Sequence, residues 1–201
     1  MRSAEEIRER YESIRECVGP GVTVVAATKY VSLEEMRVLA EAGIEVVGEN
    51  RAQALATKQA RYGAAFRWHF IGHLQSRKTA LVSELCELCH SLASESAARQ
   101  LSIPALVEVN LAGEETKSGI APEELDGFLE LCRQTGIEVR GLMTMPPLAS
   151  DPEASRPSFR RLRELAERFN LPQLSMGTSQ DYLVAAEEGA TFIRVGSVLW
   201  S

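Results

Sequence analysis

TVVAATKYVSLEEMRVLAEAGIEVVG, residues 23–48, is the stretch on which the fold turns. TVVAAT (23–28) is short, apolar and rich in β-branched residues, and IEVVG (44–48) repeats that character. Between them, SLEEMRVLAEAG (32–43) has helical spacing, with Ser32 as N-cap, Glu35 three residues later to complete a capping box, and Gly43 as the stop. Two apolar strands joined by a helix are a parallel pair, because a parallel connection needs a crossover of about a dozen residues. One residue does not fit a strand built for burial: Lys29, at its far end. Taken alone, it reads as a lysine that extends its ammonium into water. The alternative is a reactive amine placed at a strand end for chemistry.

The same unit recurs along the chain. Strands are predicted at 66–72, 88–93, 104–111, 137–145, 172–177 and 191–196, and helices at 50–61, 74–86, 94–101, 122–136, 158–169 and 180–189. An amphipathic helix over 3–18, carrying Ile7, Tyr11, Ile14 and Val18 at helical spacing, precedes them all. No hairpin signal separates any two strands. Eight near-continuous apolar strands alternating with helices imply an all-parallel α/β protein: a single (β/α)8 TIM-type barrel over residues 1–201, with an extra N-terminal helix. That helix would cover the gap where an eighth barrel helix would pack, since the chain stops just after strand eight. An open doubly wound sheet is the alternative, and it lacks the G-x-G-x-x-G fingerprint of its commonest ligand. PPLASDPEASRP (146–157) reads as a loop, and GEETKS (113–118) lacks the second glycine of a phosphate loop.

Bulk composition narrows the function. The 201 residues are 45% hydrophobic and 25% charged, with a net charge of −6. That balance suits one globular domain and disfavours a broad nucleic-acid or anionic-membrane surface. No stretch is long enough to span a bilayer, and MRSAEEIRER has no apolar leader core, so a cytoplasmic protein is expected. Cys17, Cys86, Cys89 and Cys132 are then free thiols. CELCH (86–90) matches a haem-attachment pattern, but burial as apolar filler is the stronger reading, and no partner ligands for a metal can be placed.

In a barrel, chemistry collects where strands end. Those ends here are Lys29, GEN (48–50), WHFIGHLQS (68–76), EVN (108–110), LMTM (142–145), SMGTS (175–179) and RVGS (194–197). SMGTS and RVGS follow strands seven and eight, and with Gly177, Gly196 and their hydroxyls they read as a phosphate cup. Two ordinary turns, with Ser179 as the N-cap of the next helix, are the alternative. A lysine beside a phosphate cup suggests a phosphorylated aldehyde held as a Schiff base. Arg194, a charge inside the apolar TFIRVG, requires a partner, for which a ring nitrogen would serve. His69 and His73 read as pocket lining or hydrogen-bonding groups, not as a metal pair.

VAATKYVSLEEMRVLAEAGIEVVGENRAQ, WHFIGHLQSRK, VEVNLAGEETKSGI, GLMTM and LSMGTSQDYLVAAEEGATFIRVGS together resemble the pyridoxal phosphate homeostasis protein family (YggS/PROSC type), whose barrel is similar to the N-terminal domain of alanine racemase. The resemblance runs from about residue 22 to 198. It implies that Lys29 carries pyridoxal 5′-phosphate as a Schiff base and that Arg194 faces the pyridine nitrogen. Ser175, Met176, Gly177, Ser179, Gly196 and Ser197 would hold the phosphate, and Asn50, His69 and Met143 would line the pocket. It also implies a monomer that binds pyridoxal phosphate without robust catalysis and passes it to apo-enzymes that depend on it. The sequence departs from the family at Thr178, Ser197 and Arg77, where Met, Thr and Asn are usual, and at its end, VLWS, which lacks the usual tail. A small racemase or lyase using the same cofactor is the alternative, with Tyr30 and Tyr182 as the nearest second bases. A Schiff-base aldolase without the cofactor is a third reading.

Overall fold

The structure, a computed structural model, describes residues 2–113 and 118–200, so most of GEETKS and the last residue of VLWS lie outside the described residues. The strands are β1 (Thr23–Ala27), β2 (Val46–Glu49), β3 (Arg67–Phe70), β4 (Leu88–Leu92), β5 (Ala105–Glu108), β6 (Val139–Met143), β7 (Gln173–Thr178) and β8 (Phe192–Val195). Each pairs in parallel with its neighbour, and β1 pairs with β8 from Thr23↔Phe192 to Ala26↔Val195, which closes the barrel. The closed barrel is therefore the observed architecture, and the open sheet is not.

The helices are α1 (Ala4–Val18), α2 (Leu33–Glu41), α3 (Ala52–Tyr62), α4 (Thr79–Leu85), α5 (Glu95–Ala98), α6 (Leu125–Thr135), α7 (Arg156–Arg168), α8 (Tyr182–Glu187) and α9 (Ser197–Trp200). Ser32 and Glu35 form the capping box that the sequence predicts at the start of α2. Three elements are shorter than their periodicity suggests. The region 74–86 opens as a 3-10 turn over Ser76–Lys78 before α4 begins. Residues 122–124 form a turn, with the Glu124 amide reaching only Ala121 O, so α6 starts at Leu125. The fifth helix is a single turn, because Leu101 folds back to bond Ala97 O and bury itself, and Pro104 follows. The Pro/Ser-rich stretch is partly ordered, with a 3-10 turn over Pro152–Ser155 leading directly into α7. A fifth difference lies after β8, where Ser197–Trp200 form the short α9 that the sequence pattern does not indicate.

Burial divides the core in two. Outward-facing strand residues such as Val24, Val47, Trp68 and Met176 pack against the helices in one large cluster. Val25, Val46, Leu88, Leu106, Met143 and Phe192 form a separate small cluster, which fills the barrel interior. α1 occupies the gap expected of it. Its buried face of Ile7, Tyr11 and Ile14 meets α2, α8 and α9. Arg8 donates to the end of α2 through Glu41 O (2.6 Å) and Ala42 O (3.2 Å), while Arg10 donates to Val198 O (3.2 Å). Because α1 substitutes for a barrel helix, Ile7→Ala should destabilise the whole domain by about 2–5 kcal/mol. Urea denaturation followed by circular dichroism measures this, and a loss confined to α1 with an intact barrel transition would contradict it.

Candidate functional site

The C-terminal ends of the strands carry the site, and barrel closure brings its most distant parts together. Lys29, two residues beyond β1, and the Gly196–Ser197 turn beyond β8 line one cavity of about 770 Å³, together with Tyr30 and Trp200. Lys29 is exposed there, its Nζ 4.5 Å from the centroid of the Tyr30 ring. Tyr30 is itself 85% exposed.

Below this mouth a chain of polar groups runs through the barrel interior beside the apolar cluster. The His69 Nδ1 atom lies 2.9 Å from His90 Nε2, and His90 Nδ1 lies 2.8 Å from Ser175 Oγ. Arg194 donates to Ser175 Oγ through Nη1 and to Thr144 O through Nη2 at 3.1 Å. β4 and β7 are not neighbours in the sheet, so the His90–Ser175 bond crosses the lumen. Arginine only donates. The assignment that gives every hydrogen an acceptor has Ser175 donating to His90 Nδ1, His90 donating from Nε2 to His69 Nδ1, and His69 keeping its hydrogen on Nε2. Both rings are then neutral. Burial holds His69 down at about 3 and His90 well below its ordinary value, with neighbouring positive charge acting in the same direction. Burial also lowers Arg194 to about 10, opposed by Glu108 and Asp181. At neutral pH Arg194 therefore stays charged, beneath the site, with neutral groups as its hydrogen-bond partners. Burial raises the Glu108 carboxyl, against a 2.6 Å bond from Ser118 Oγ.

The β7 and β8 ends are built for close approach. Gly177 has φ of +89°, and a Cβ there would lie 2.5 Å from the Ala185 Cβ, so only glycine fits. Gly196 is different, since its added Cβ would meet only Ala27 at ordinary contact distance. Ser179 is not the N-cap of α8. That position belongs to Asp181, whose Oδ1 accepts from the Thr178 amide (2.7 Å) and hydroxyl (3.0 Å) while Oδ2 accepts from Ser155 (2.7 Å). The Ser179 hydroxyl instead accepts from the amides of Gly196 (2.9 Å) and Val198 (3.4 Å), tying the two turns together. Thr178 thus closes its own turn through a side-chain bond that the usual methionine could not make.

The remaining sequence candidates lie at different depths. Met143 is buried in the interior cluster, and the Met176 side chain lies in the outer layer, leaving its backbone for the rim. Asn50 lines a separate cleft of about 580 Å³ with His73, Arg77, Lys78 and Arg51. Its Oδ1 atom is buried without a hydrogen-bond partner. A locally basic rim on a chain of net charge −6 favours a small anion. Sequence reasoning missed His90, Glu49 and Lys58. His90 was visible only within CELCH, whose cysteines are buried; burial raises both thiols, Cys89 to about 11. Among the described residues, no helix is long and apolar enough to cross a membrane.

A phosphorylated pyridine aldehyde needs an amine, room for its phosphate and polar groups near its ring: the rim offers the exposed Lys29 and the tight Gly177 turn, with charged Arg194 buried beneath and the unpartnered Asn50 amide oxygen in the adjoining cleft. The chain is similar to known proteins over nearly its whole length. The family described as "Alanine racemase, N-terminal domain" matches residues 3–201. A pyridoxal phosphate homeostasis protein of Aquifex aeolicus is 38% identical, the match covering 96% of this chain and 94% of that protein. The structure of PipY from Synechococcus elongatus with PLP bound superposes with a TM-score of 0.86 at 32% identity, over 97% of this chain and all of that one. Alanine racemase from Corynebacterium glutamicum shares the fold at a TM-score of 0.78 and 18% identity, over 98% of this chain and 60% of that one.

The neutral histidine pair has a consequence for stability. Both rings titrate lower when folded than the ordinary value near 6.5, so below that pH the unfolded chain binds more protons. Their contribution is complete above pH 6.5 and is lost as pH falls toward the folded values. Between pH 6.5 and 5 the slope should approach roughly 1.4 kcal/mol per pH unit for each histidine. Urea titrations at pH 7, 6 and 5 measure it. His90→Gln should flatten the slope, and a wild-type stability unchanged over this window would contradict the assignment.

Proposed function

The chain belongs to the family of the alanine racemase N-terminal domain and to the pyridoxal phosphate homeostasis proteins, and from that premise we propose that it binds pyridoxal 5′-phosphate and serves in its cellular homeostasis. The single observation that carries the reading is the shared cavity of Lys29 and the Gly196–Ser197 turn. In this reading Lys29 holds the aldehyde as a Schiff base, and Ser175, Met176, Gly177, Ser179, Gly196 and Ser197 surround the phosphate. Asn50, His69 and Met143 line the ring pocket. The Ser179 hydroxyl accepts from the Gly196 and Val198 amides and so fixes the turn after β7 against the turn after β8, between which the phosphate would sit.

Bound pyridoxal phosphate supplies an electrophilic aldehyde and a ring that can spread negative charge. Arg194 limits the second property. Fixed by Ser175 and Thr144 and charged at neutral pH, it offers a hydrogen bond to the ring nitrogen but does not give up its proton. Racemisation further requires bases on two faces of a substrate. Tyr30 lies beneath the Lys29 ammonium, on its own side, and Tyr182 sits at the start of α8. The arrangement therefore supports a carrier over an enzyme; in this reading the carrier is a cytoplasmic monomer that holds the aldehyde and releases it to apo-enzymes.

Protein loaded with pyridoxal phosphate should restore activity to an apo-aminotransferase while turning over alanine, serine and threonine no faster than Lys29→Ala. Turnover that depends on Lys29 would favour the racemase or lyase reading, and failure to load at all would overturn the proposal.

A further inference from the structure

A buried ion pair lies under the rim where a well-packed apolar pair would have served stability as well. Lys58 on α3 and Glu49 at the end of β2 are 6% and 0% exposed, and Lys58 Nζ lies 2.6 Å from Glu49 Oε2. Such pairs seldom add net stability, because desolvation offsets their attraction. What this one does is visible in its other bonds. Lys58 Nζ also donates to the carbonyl of Thr28 at 2.6 Å, and the Thr28 hydroxyl donates to Glu49 Oε2 at 3.0 Å. Thr28 is fully buried; its amide bonds Gly48 O (2.9 Å), and its carbonyl also accepts from the Val31 amide (2.9 Å). Every polar group of the residue before Lys29 is thereby fixed. The other carboxylate oxygen, Glu49 Oε1, accepts from the amides of Asn50 (2.8 Å) and Arg51 (3.3 Å).

We infer that the Lys58–Glu49 pair is a positioning device that clamps the turns after β1 and β2 together, and so sets Lys29 and Asn50 relative to one another. Thr28 and Glu49, its two anchors on the rim, are the residues immediately before Lys29 and Asn50. Lys58 and Glu49 are positioning residues; neither meets the ligand. The inference rests on the reading of Lys29 given above. The step it serves is condensation. The neutral Lys29 nitrogen forms a C=N bond to the aldehyde carbon, the aldehyde oxygen leaves as water, and both amine hydrogens leave with it, so no oxidant or reductant is needed. With Thr28 fixed, only the Lys29 side chain itself has to find the aldehyde.

The test compares wild type with the double variant Lys58→Met/Glu49→Gln, which removes both buried charges while keeping an acceptor for the Asn50 and Arg51 amides. Stopped-flow absorbance follows condensation with pyridoxal phosphate, and denaturation reports folding. The double variant should remain folded but condense about tenfold more slowly or worse, since small misplacements of reacting groups are costly. Its condensation rate against pH should also change shape. Lys58→Arg, whose fork can reach both carbonyl and carboxylate, should recover part of the rate. A folded double variant that condenses at the wild-type rate overturns the inference, as does a loss that only tracks the unfolded fraction. If wild type itself fails to condense, the reading of Lys29 fails, and amide exchange over residues 28–31 decides the clamp. Exchange should be much faster in the double variant, and unchanged exchange overturns it.

Discussion

Ring closure is the constraint from which the site follows. Four register pairs join β1 to β8, so a residue just past the first strand and a turn just past the last become neighbours although most of the chain lies between them. Lys29 and Gly196–Ser197 share a cavity for that reason alone. An open sheet built from the same strands would leave them at opposite edges. α1 belongs to the same constraint. By packing against α2 and α8 it completes the helical layer behind the β1–β8 seam.

Closure also creates a lumen, which holds both apolar and polar groups. Part of the interior is a compact apolar cluster that includes Leu106 and Phe192, and the Phe192 ring packs edge-on against both His69 and His90. Beside it lie Arg194, two histidines and Ser175, joined across the barrel by bonds that no flat sheet could make. A charge at such depth is costly unless hydrogen-bonded. Arg194 meets that condition with two neutral acceptors, Ser175 Oγ and Thr144 O. Burial, with positive charge nearby, keeps both histidines neutral.

Much of this was legible in the residues. Strand and helix periodicities are local, so eight βα units could be counted, and listing strand ends singled out Lys29, Gly177 and Arg194 before any coordinates. The errors came where a partner lies far along the chain. Ser179 has the statistics of a helix cap for the turn that follows it, yet its amide partners are at Gly196 and Val198, 17 and 19 residues on. His90 looked like part of a cysteine motif because Ser175, its partner, is 85 residues away. Glu49 and Lys58 sit on different elements, a strand and a helix, and nothing in either local pattern marks them as a pair.

The account depends most on one bond, between Lys29 and the aldehyde of pyridoxal phosphate. The chain has four lysines, Lys29, Lys58, Lys78 and Lys117, which makes the bond directly assignable. The decisive measurement is borohydride reduction after incubation with one equivalent of pyridoxal phosphate, followed by peptide mass mapping. A single phosphopyridoxyl adduct on the peptide containing Lys29 is the expected result. An adduct spread over the other lysines, or concentrated on any one of them, would contradict it.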